Sequence, residues 1–257
     1  MSIPRVAALA TNTVRQAVRS RLLYTLLFFG LVLIATSVGV SSLSYVESER
    51  IVQDVGLAAI RLFGVGIAIF VGVGLIHDEI ERRTIYTMLS KPLSRSEFIV
   101  GKYMGLLLTV WAQLAIMSLA FLAVSWVVGA PLGWNLVAAL GLVGIELMVV
   151  VAVATFFSSF TTPLLSSLFS VGIYLAGNLS RDIRSLGFQS GDTIVEFAGQ
   201  ALYRALPDLQ SFNLTVQAVH GLPISSLEIG LPVVYGVGYS VVLLMASALI
   251  FERRDLR

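Results

Sequence analysis

The chain has 257 residues, of which 57% are hydrophobic and only 12% are charged, and its mean hydropathy is +0.90. A chain this apolar is not an ordinary soluble domain, its net charge of +2 argues against nucleic acid as a partner, and the absence of cysteine excludes disulfides. Uncharged runs cover residues 22–46, 103–145, 147–180 and 229–251. Because about 18 such residues cross a hydrocarbon core as a helix, and the runs lack the alternation of barrel strands, the sequence predicts an all-α, polytopic membrane protein. A large buried helical core is the weaker alternative.

Residues 1–21 have the pattern of an amphipathic helix. Apolar side chains fall near one face, and polar side chains, among them Arg15 and Arg19, fall opposite. This pattern favours a helix that lies at the membrane surface. Packing of the apolar face against the rest of the chain is the alternative.

Six spans are predicted in a single membrane domain, residues 1–257. They lie at roughly residues 22–42, 56–76, 102–128, 134–158, 164–180 and 231–251. Both termini and residues 77–101 share one side, which together with the adjacent Lys102 holds twelve of the 17 Lys and Arg residues and is therefore predicted to be cytoplasmic. Residues 181–230 form an acidic extracytoplasmic loop, within which "TIVEFAGQALYRAL" predicts a second amphipathic helix that ends at Pro207.

Two charged residues fall well inside predicted spans: Arg61 in the second and Glu146 in the fourth. An ionised group at such a depth costs several kcal/mol (about 3 on insertion scales) unless it is paired or hydrated. The two spans run in the same direction, and the two depths differ by about one helical turn, so the long Arg61 side chain can reach Glu146. A structural ion pair is favoured over a polar spot on a translocation path.

The segment "IHDEIERRTIYTMLSKPLSRSEFIVGK", residues 76–102, carries nine acidic or basic side chains in the middle of this apolar chain. Residues 78–90 have the pattern of a helix, and Pro92 ends it. Ser94 and Glu97 have the spacing of a capping box, which predicts that a second helix starts here and leads into the third span. A helix, a break and a helix at the membrane surface suit the transmission of force from a soluble partner. An ordinary well-capped loop is the alternative.

This segment closely resembles the cytoplasmic segment of ABC-2 type permeases, the membrane subunits of ATP-driven transporters. In that family it typically reads as an acidic stretch, Gly-Thr-Leu, Leu-Leu, Pro, a small hydrophobic residue, Ser or Thr, Arg, and Gly-Lys. The matching residues are Glu79, Glu81, Thr84, Ile85, Met88, Leu89, Pro92, Leu93, Ser94, Arg95, Phe98, Gly101 and Lys102. Arg83 stands where glycine is usual, and Tyr86 stands where an acid is frequent. Residues 206–221 are similar to the loop of a subset grouped with multicopper-enzyme-maturation permeases.

The resemblance implies that residues 78–98 couple the chain to a separate ABC ATP-binding subunit. The implied coupling residues are Glu79, Glu81, Arg82, Arg83, Thr84, Met88, Leu89, Pro92, Ser94 and Arg95. It also implies an exporter with two permease copies, identical or different, in the cytoplasmic membrane of a bacterium or archaeon.

We expect ATP and Mg²⁺ to bind to the partner subunit and no cofactor to bind to this chain. The only Gly-Lys, Gly101–Lys102, lacks the upstream glycine of a phosphate-binding loop, so the chain is not expected to be an enzyme. No catalytic or metal-ligating set is assigned either, since His77, Asp78 and Glu79 are consecutive on a helix and point in different directions. The alternative functions are a non-transporting membrane scaffold that works with an ATPase, and a secondary transporter.

Overall fold

The computed structural model describes residues 3–42, 47–81, 95–182 and 206–253, together with residues 185, 197 and 200. Within these residues the chain is helical and contains no strand, so the all-α class is confirmed. The helices are α1 (Ile3–Val18), α2 (Arg21–Ser41), α3 (Ser48–Glu81), α4 (Arg95–Val128), α5 (Trp134–Ser158), α6 (Pro163–Asn178), α7 (Thr215–His220) and α8 (Ser226–Arg253), with a 3-10 turn at Leu209–Phe212. The second amphipathic helix, predicted at residues 193–206, lies almost entirely outside the described residues.

Five of these helices are long and apolar enough to cross a membrane, namely α2, α3, α4, α5 and α8. Helix α6 has 16 residues and is therefore about 24 Å long, which is shorter than a hydrocarbon core of about 30 Å. The predicted span at residues 164–180 is thus a short helix, and the count of six full spans stays a prediction. Helix α3 also begins about eight residues before the predicted span, because its polar first turns continue the helix beyond the apolar run.

Helix α5 lies at the centre of the bundle. In its most apolar stretch 83% of the residues are buried, against 17% in α8 and 22% in α2. Apolar side chains surround α5 on all sides, which is typical of a helix enclosed by other helices. Helices α3, α4, α6 and α8 all contact it, and α2 packs on the outside against α3.

Three contacts define one end of the bundle, here called the basic end. The first turns of α4 lie against α1, the Phe98 ring stacks on Phe251 at 5.8 Å, and Nε2 of His77 lies 2.8 Å from the carbonyl oxygen of Thr161. The end of α3, the start of α4, the turn between α5 and α6, and the end of α8 therefore meet there. This is the grouping that the distribution of Lys and Arg predicts for the cytoplasmic side.

Helix α1 packs along the first turns of α4. Its buried residues are Leu9, Ala10, Thr13 and Ala17. A Cβ atom on Gly105 would lie 2.5 Å from Cβ of Thr13 and 2.7 Å from the carbonyl oxygen of Ala10, so only glycine permits this approach. The apolar face of α1, which favoured a surface location in the sequence, is thus covered by α4.

An irregular segment, residues 206–214, enters the half of the bundle opposite the basic end. The carbonyl oxygen of Pro207 would lie 2.7 Å from a Cβ on Gly177 at the end of α6. Phe212 is completely buried, and its ring would lie 3.2 Å from a Cβ on Gly236, the third turn of α8. The segment therefore occupies the space above the short α6.

Gly105→Ala tests the docking of α1. The added methyl group meets backbone and a Cβ atom, which cannot move aside, so we expect the substitution to destabilise the protein by about 1–3 kcal/mol. Thermal unfolding and the rate of tryptic cleavage after Arg15 measure the effect. The matched control is Gly74→Ala, because a Cβ there meets nothing within 4 Å. Equal unfolding temperatures and cleavage rates for the two variants would contradict the docking.

Candidate functional site

The predicted coupling segment connects two helices at the basic end. Glu79 and Glu81 lie in the last turn of α3, and Arg95 is the first residue of α4. The start of α4 agrees with the helix start that the capping pattern predicts. The remaining predicted coupling residues lie outside the described residues; these are Arg82, Arg83, Thr84, Met88, Leu89, Pro92 and Ser94.

The first two turns of α4 are held from two sides. Phe98 and Ile99 are buried, and Phe98 stacks on Phe251 near the end of α8. On the other side, Leu9 of α1 fills the space beside Gly101. A Cβ atom added to Gly101 would lie only 2.7 Å from Cβ of Leu9. A displacement of the start of α4 therefore moves α1 and the end of α8 with it.

Lys102 is a buried cation at this junction. Its side chain is 1% exposed, and Nζ donates a hydrogen bond to Oε1 of Gln16 in α1 at 3.2 Å. A buried ammonium group needs such polar partners, since its transfer from water into an apolar interior is otherwise very unfavourable. The sequence identifies Lys102 as part of a Gly-Lys pair, and it does not predict the contact between Lys102 and α1.

His77 links α3 to the turn between α5 and α6. Its Nε2 lies 2.8 Å from the carbonyl oxygen of Thr161, and its Nδ1 lies 3.2 Å from that of Val73. A neutral ring with the proton on Nε2 donates the shorter of these bonds. Nothing in the sequence around Asp78 and Glu79 predicts this contact, which half-buries the ring of His77.

The structure brings Arg61 and Glu146 into direct contact. Arg61 donates from Nε to Oε2 of Glu146 at 2.7 Å and to Oε1 at 3.0 Å, and from Nη2 to Oε1 at 2.7 Å. The carboxylate is completely buried, and the Arg61 side chain is 16% exposed. This two-pronged geometry is the strongest form of contact between arginine and a carboxylate.

Asn178 completes the arrangement and was not predicted. Its Oδ1 accepts a hydrogen bond from Nη2 of Arg61 at 2.7 Å, while its Nδ2 donates to the carbonyl oxygen of Tyr174 at 3.0 Å. Glu146 lies twelve residues from either end of α5, which is about 18 Å from each end. The three side chains therefore join α3, α5 and the end of α6 in the middle of the bundle. With the Glu146 carboxylate fully enclosed, this arrangement favours a structural ion pair over a path-lining site.

A double-mutant cycle tests this ion pair. Removing one partner leaves a buried charge without its counterion, so we expect Arg61→Leu and Glu146→Leu each to destabilise the protein by about 3–5 kcal/mol. The double variant should lose much less unfolding free energy than the two single variants together, because neither charge remains. Thermal unfolding of the purified variants measures the three values. Glu47→Gln is the control, since its contact with Arg50 is exposed. Additive losses in the double variant would contradict the pairing.

The comparison with known proteins places the whole chain in one family. Residues 7–256 match the family model described as "ABC-2 family transporter protein". No curated protein shows a significant sequence match to the chain. The family match does not distinguish the subset of multicopper-enzyme-maturation permeases, which stays a prediction. Five helices that can span a membrane and a match over nearly the full length lead to one conclusion. The chain belongs to the ABC-2 family of transporter proteins and is a multi-pass membrane component of the permease type.

Proposed function

We propose that the chain is the permease subunit of an ATP-binding-cassette exporter and that residues 78–98 transmit work from a separate ATP-binding subunit. The family match over residues 7–256 is the observation that carries this proposal. The position of the segment supports it, because α3 enters the segment and α4 leaves it at the basic end of the bundle.

The contacts around the segment provide a route for the transmitted force. At its C-terminal side, the start of α4 is held by α1 and by Phe251 of α8. At its N-terminal side, His77 of α3 contacts Thr161 in the turn between α5 and α6. A push on residues 82–94 by a docked subunit therefore acts on both halves of the bundle through packed contacts.

In this proposal the partner subunit binds ATP and Mg²⁺ and performs the hydrolysis. A second permease copy, identical or different, completes the membrane part, and the location is the cytoplasmic membrane of a bacterium or archaeon. The Arg61–Glu146–Asn178 contact holds α3, α5 and α6 together while the transporter changes its opening.

Replacement of residues 82–94 by a Gly-Ser linker of equal length tests the docking. We expect the wild-type chain to capture an ATP-binding subunit when it is co-expressed with its genomic neighbours. The linker variant should lose this capture and keep its thermal unfolding temperature, because the described contacts that hold α3 and α4 at the basic end are made by residues outside 82–94. Glu47→Gln, at the end of the bundle opposite the basic end, is the control and should leave the capture unchanged. If the wild-type chain captures no such subunit, or the linker variant still captures it and transports, the proposal is wrong.

His77→Ala tests the transmission step separately from docking. The substitution removes the contact between α3 and Thr161, so we expect normal capture of the ATP-binding subunit with a severalfold loss of transport-coupled ATP hydrolysis. ATPase activity of the reconstituted complex measures the loss. His220→Ala is the matched control, because His220 is exposed at the end of α7. Unchanged coupling in His77→Ala would contradict the route through α5 and α6.

A further inference from the structure

The turn between α4 and α5, opposite the basic end, is apolar and exposed. It comprises residues 126–134, here called the tryptophan turn, and none of them is charged. Its large exposed side chains are apolar: Val127 is 77% exposed, Trp126 is 73% exposed and Trp134 is 72% exposed. Exposed tryptophan at the ends of two neighbouring membrane helices is typical of the boundary between lipid headgroups and acyl chains, where the ring lies in an apolar medium and its N–H group in a wet one.

The backbone of the tryptophan turn has hydrogen-bond partners inside the protein. The N–H groups of Gly129 and Ala130 donate to carbonyl oxygens in the last turn of α4, at 3.1 and 2.9 Å, and Pro131 has no N–H group. The carbonyl oxygen of Pro131 accepts a hydrogen bond from Nε2 of Gln53 in α3 at 3.0 Å, and Gln53 is 1% exposed. Water can satisfy the carbonyl oxygens of a solvated turn, so a buried amide committed to this one indicates a medium that supplies few donors.

Three helices extend from the level of the tryptophan turn toward the basic end. About 20 residues of helix match the thickness of a hydrocarbon core, about 30 Å. Counted from Gln53 in α3 and from the two tryptophans in α4 and α5, the corresponding ranges are 53–73, 106–126 and 134–154. The charged side chains within these ranges are Asp54, next to the level of the turn, and the paired Arg61 and Glu146. The composition of the three ranges therefore fits a hydrocarbon core.

The far ends of these three ranges meet at one level. A Cβ atom added to Gly72 of α3 would lie 3.8 Å from Cδ1 of Leu106 in α4 and 3.9 Å from Cβ of Ala154 in α5. A boundary at the tryptophan turn therefore gives the same opposite boundary in three separate helices. Beyond that boundary α4 continues toward the basic end over residues 95–105, which extend about 16 Å and include three charged side chains.

We propose that the tryptophan turn binds the lipid interface on the side opposite the basic end, and that the hydrocarbon core ends near Leu106 on the other side. The rings of Trp126 and Trp134 lie between headgroups and acyl chains, and Val127 contacts the acyl chains. The turn thus lies in the membrane surface and does not project into water. The start of α4, with α1 packed against it, then extends about 16 Å beyond the hydrocarbon core at the basic end.

Fluorine NMR of the full-length chain, labelled with fluorotryptophan and reconstituted in phosphatidylcholine, tests the location of the turn. The chain has three tryptophans, and Trp126→Phe and Trp134→Phe assign the signals of the two exposed rings. The probes are 5-doxyl and 16-doxyl phosphatidylcholine and a soluble gadolinium chelate. We expect the 5-doxyl lipid to broaden both signals about twofold more than either other probe, because its label lies near the headgroups. The signal of Trp111, about 22 Å along α4 from Trp126, should respond relatively more to the 16-doxyl lipid.

Three results would overturn the proposal. Strongest broadening of the Trp126 and Trp134 signals by the chelate places the turn in water. Strongest broadening by the 16-doxyl lipid places it in the core, and no broadening by any probe means that protein covers it.

Two cysteine variants on one face of α4 test the opposite boundary. The chain has no cysteine, and Met104 and Ala115 are both exposed and eleven residues apart, which places them on the same face about three helical turns from each other. A maleimide reacts with a thiolate, which forms in water and not in hydrocarbon. We expect Met104→Cys to react with a charged, impermeant maleimide from the basic side, and Ala115→Cys to react about tenfold more slowly or less.

Similar rates for the two variants, both fast or both slow, would overturn the proposal, because the boundary would then not lie between the two positions. Neither experiment needs an ATP-binding subunit, so a failure here leaves the proposed coupling untouched.

Discussion

The contact among Arg61, Glu146 and Asn178 is the interaction on which the helix arrangement depends. Inside a hydrocarbon core an unpaired charge is expensive, so these side chains must find one another within the protein. They do so about 18 Å from both ends of α5, with three charge-assisted distances between 2.7 and 3.0 Å. Their geometry fixes the rotation of α3 and α5 about their own axes, and it holds the end of α6 at the same depth.

The short length of α6 explains the segment that follows it. A helix of 16 residues is shorter than a hydrocarbon core of about 30 Å, and Pro207 and Leu209 pack against its end at Gly177. Irregular backbone at such depth needs partners inside the protein. The structure supplies them: the N–H of Asp208 donates to Oη of Tyr235, and Oγ of Ser211 donates to the carbonyl oxygen of Asp208.

Several features could be predicted from the sequence because they follow from composition. Uncharged runs identify five helices that can span a membrane, and the depths of Arg61 and Glu146 bring the two side chains together. The distribution of Lys and Arg predicts that the chain ends and the polar segment share one side. Asn178 could not be predicted, because a neutral amide near a helix end is common and costs little when it is hydrated. The partner of His77 and the docking of α1 depend on close approaches at Thr161 and Gly105, and such tertiary contacts leave no periodic signal.

The stacking of Phe98 on Phe251 has a consequence for biosynthesis. Residue 98 leaves the ribosome long before residue 251, so the start of α4 stays half-covered while the later helices are made and inserted. Phe98 can stack on Phe251 only after α8 has entered the membrane. A nascent or truncated chain therefore lacks this stacking contact, and the start of α4 is held by α1 alone until translation of the last helix is complete.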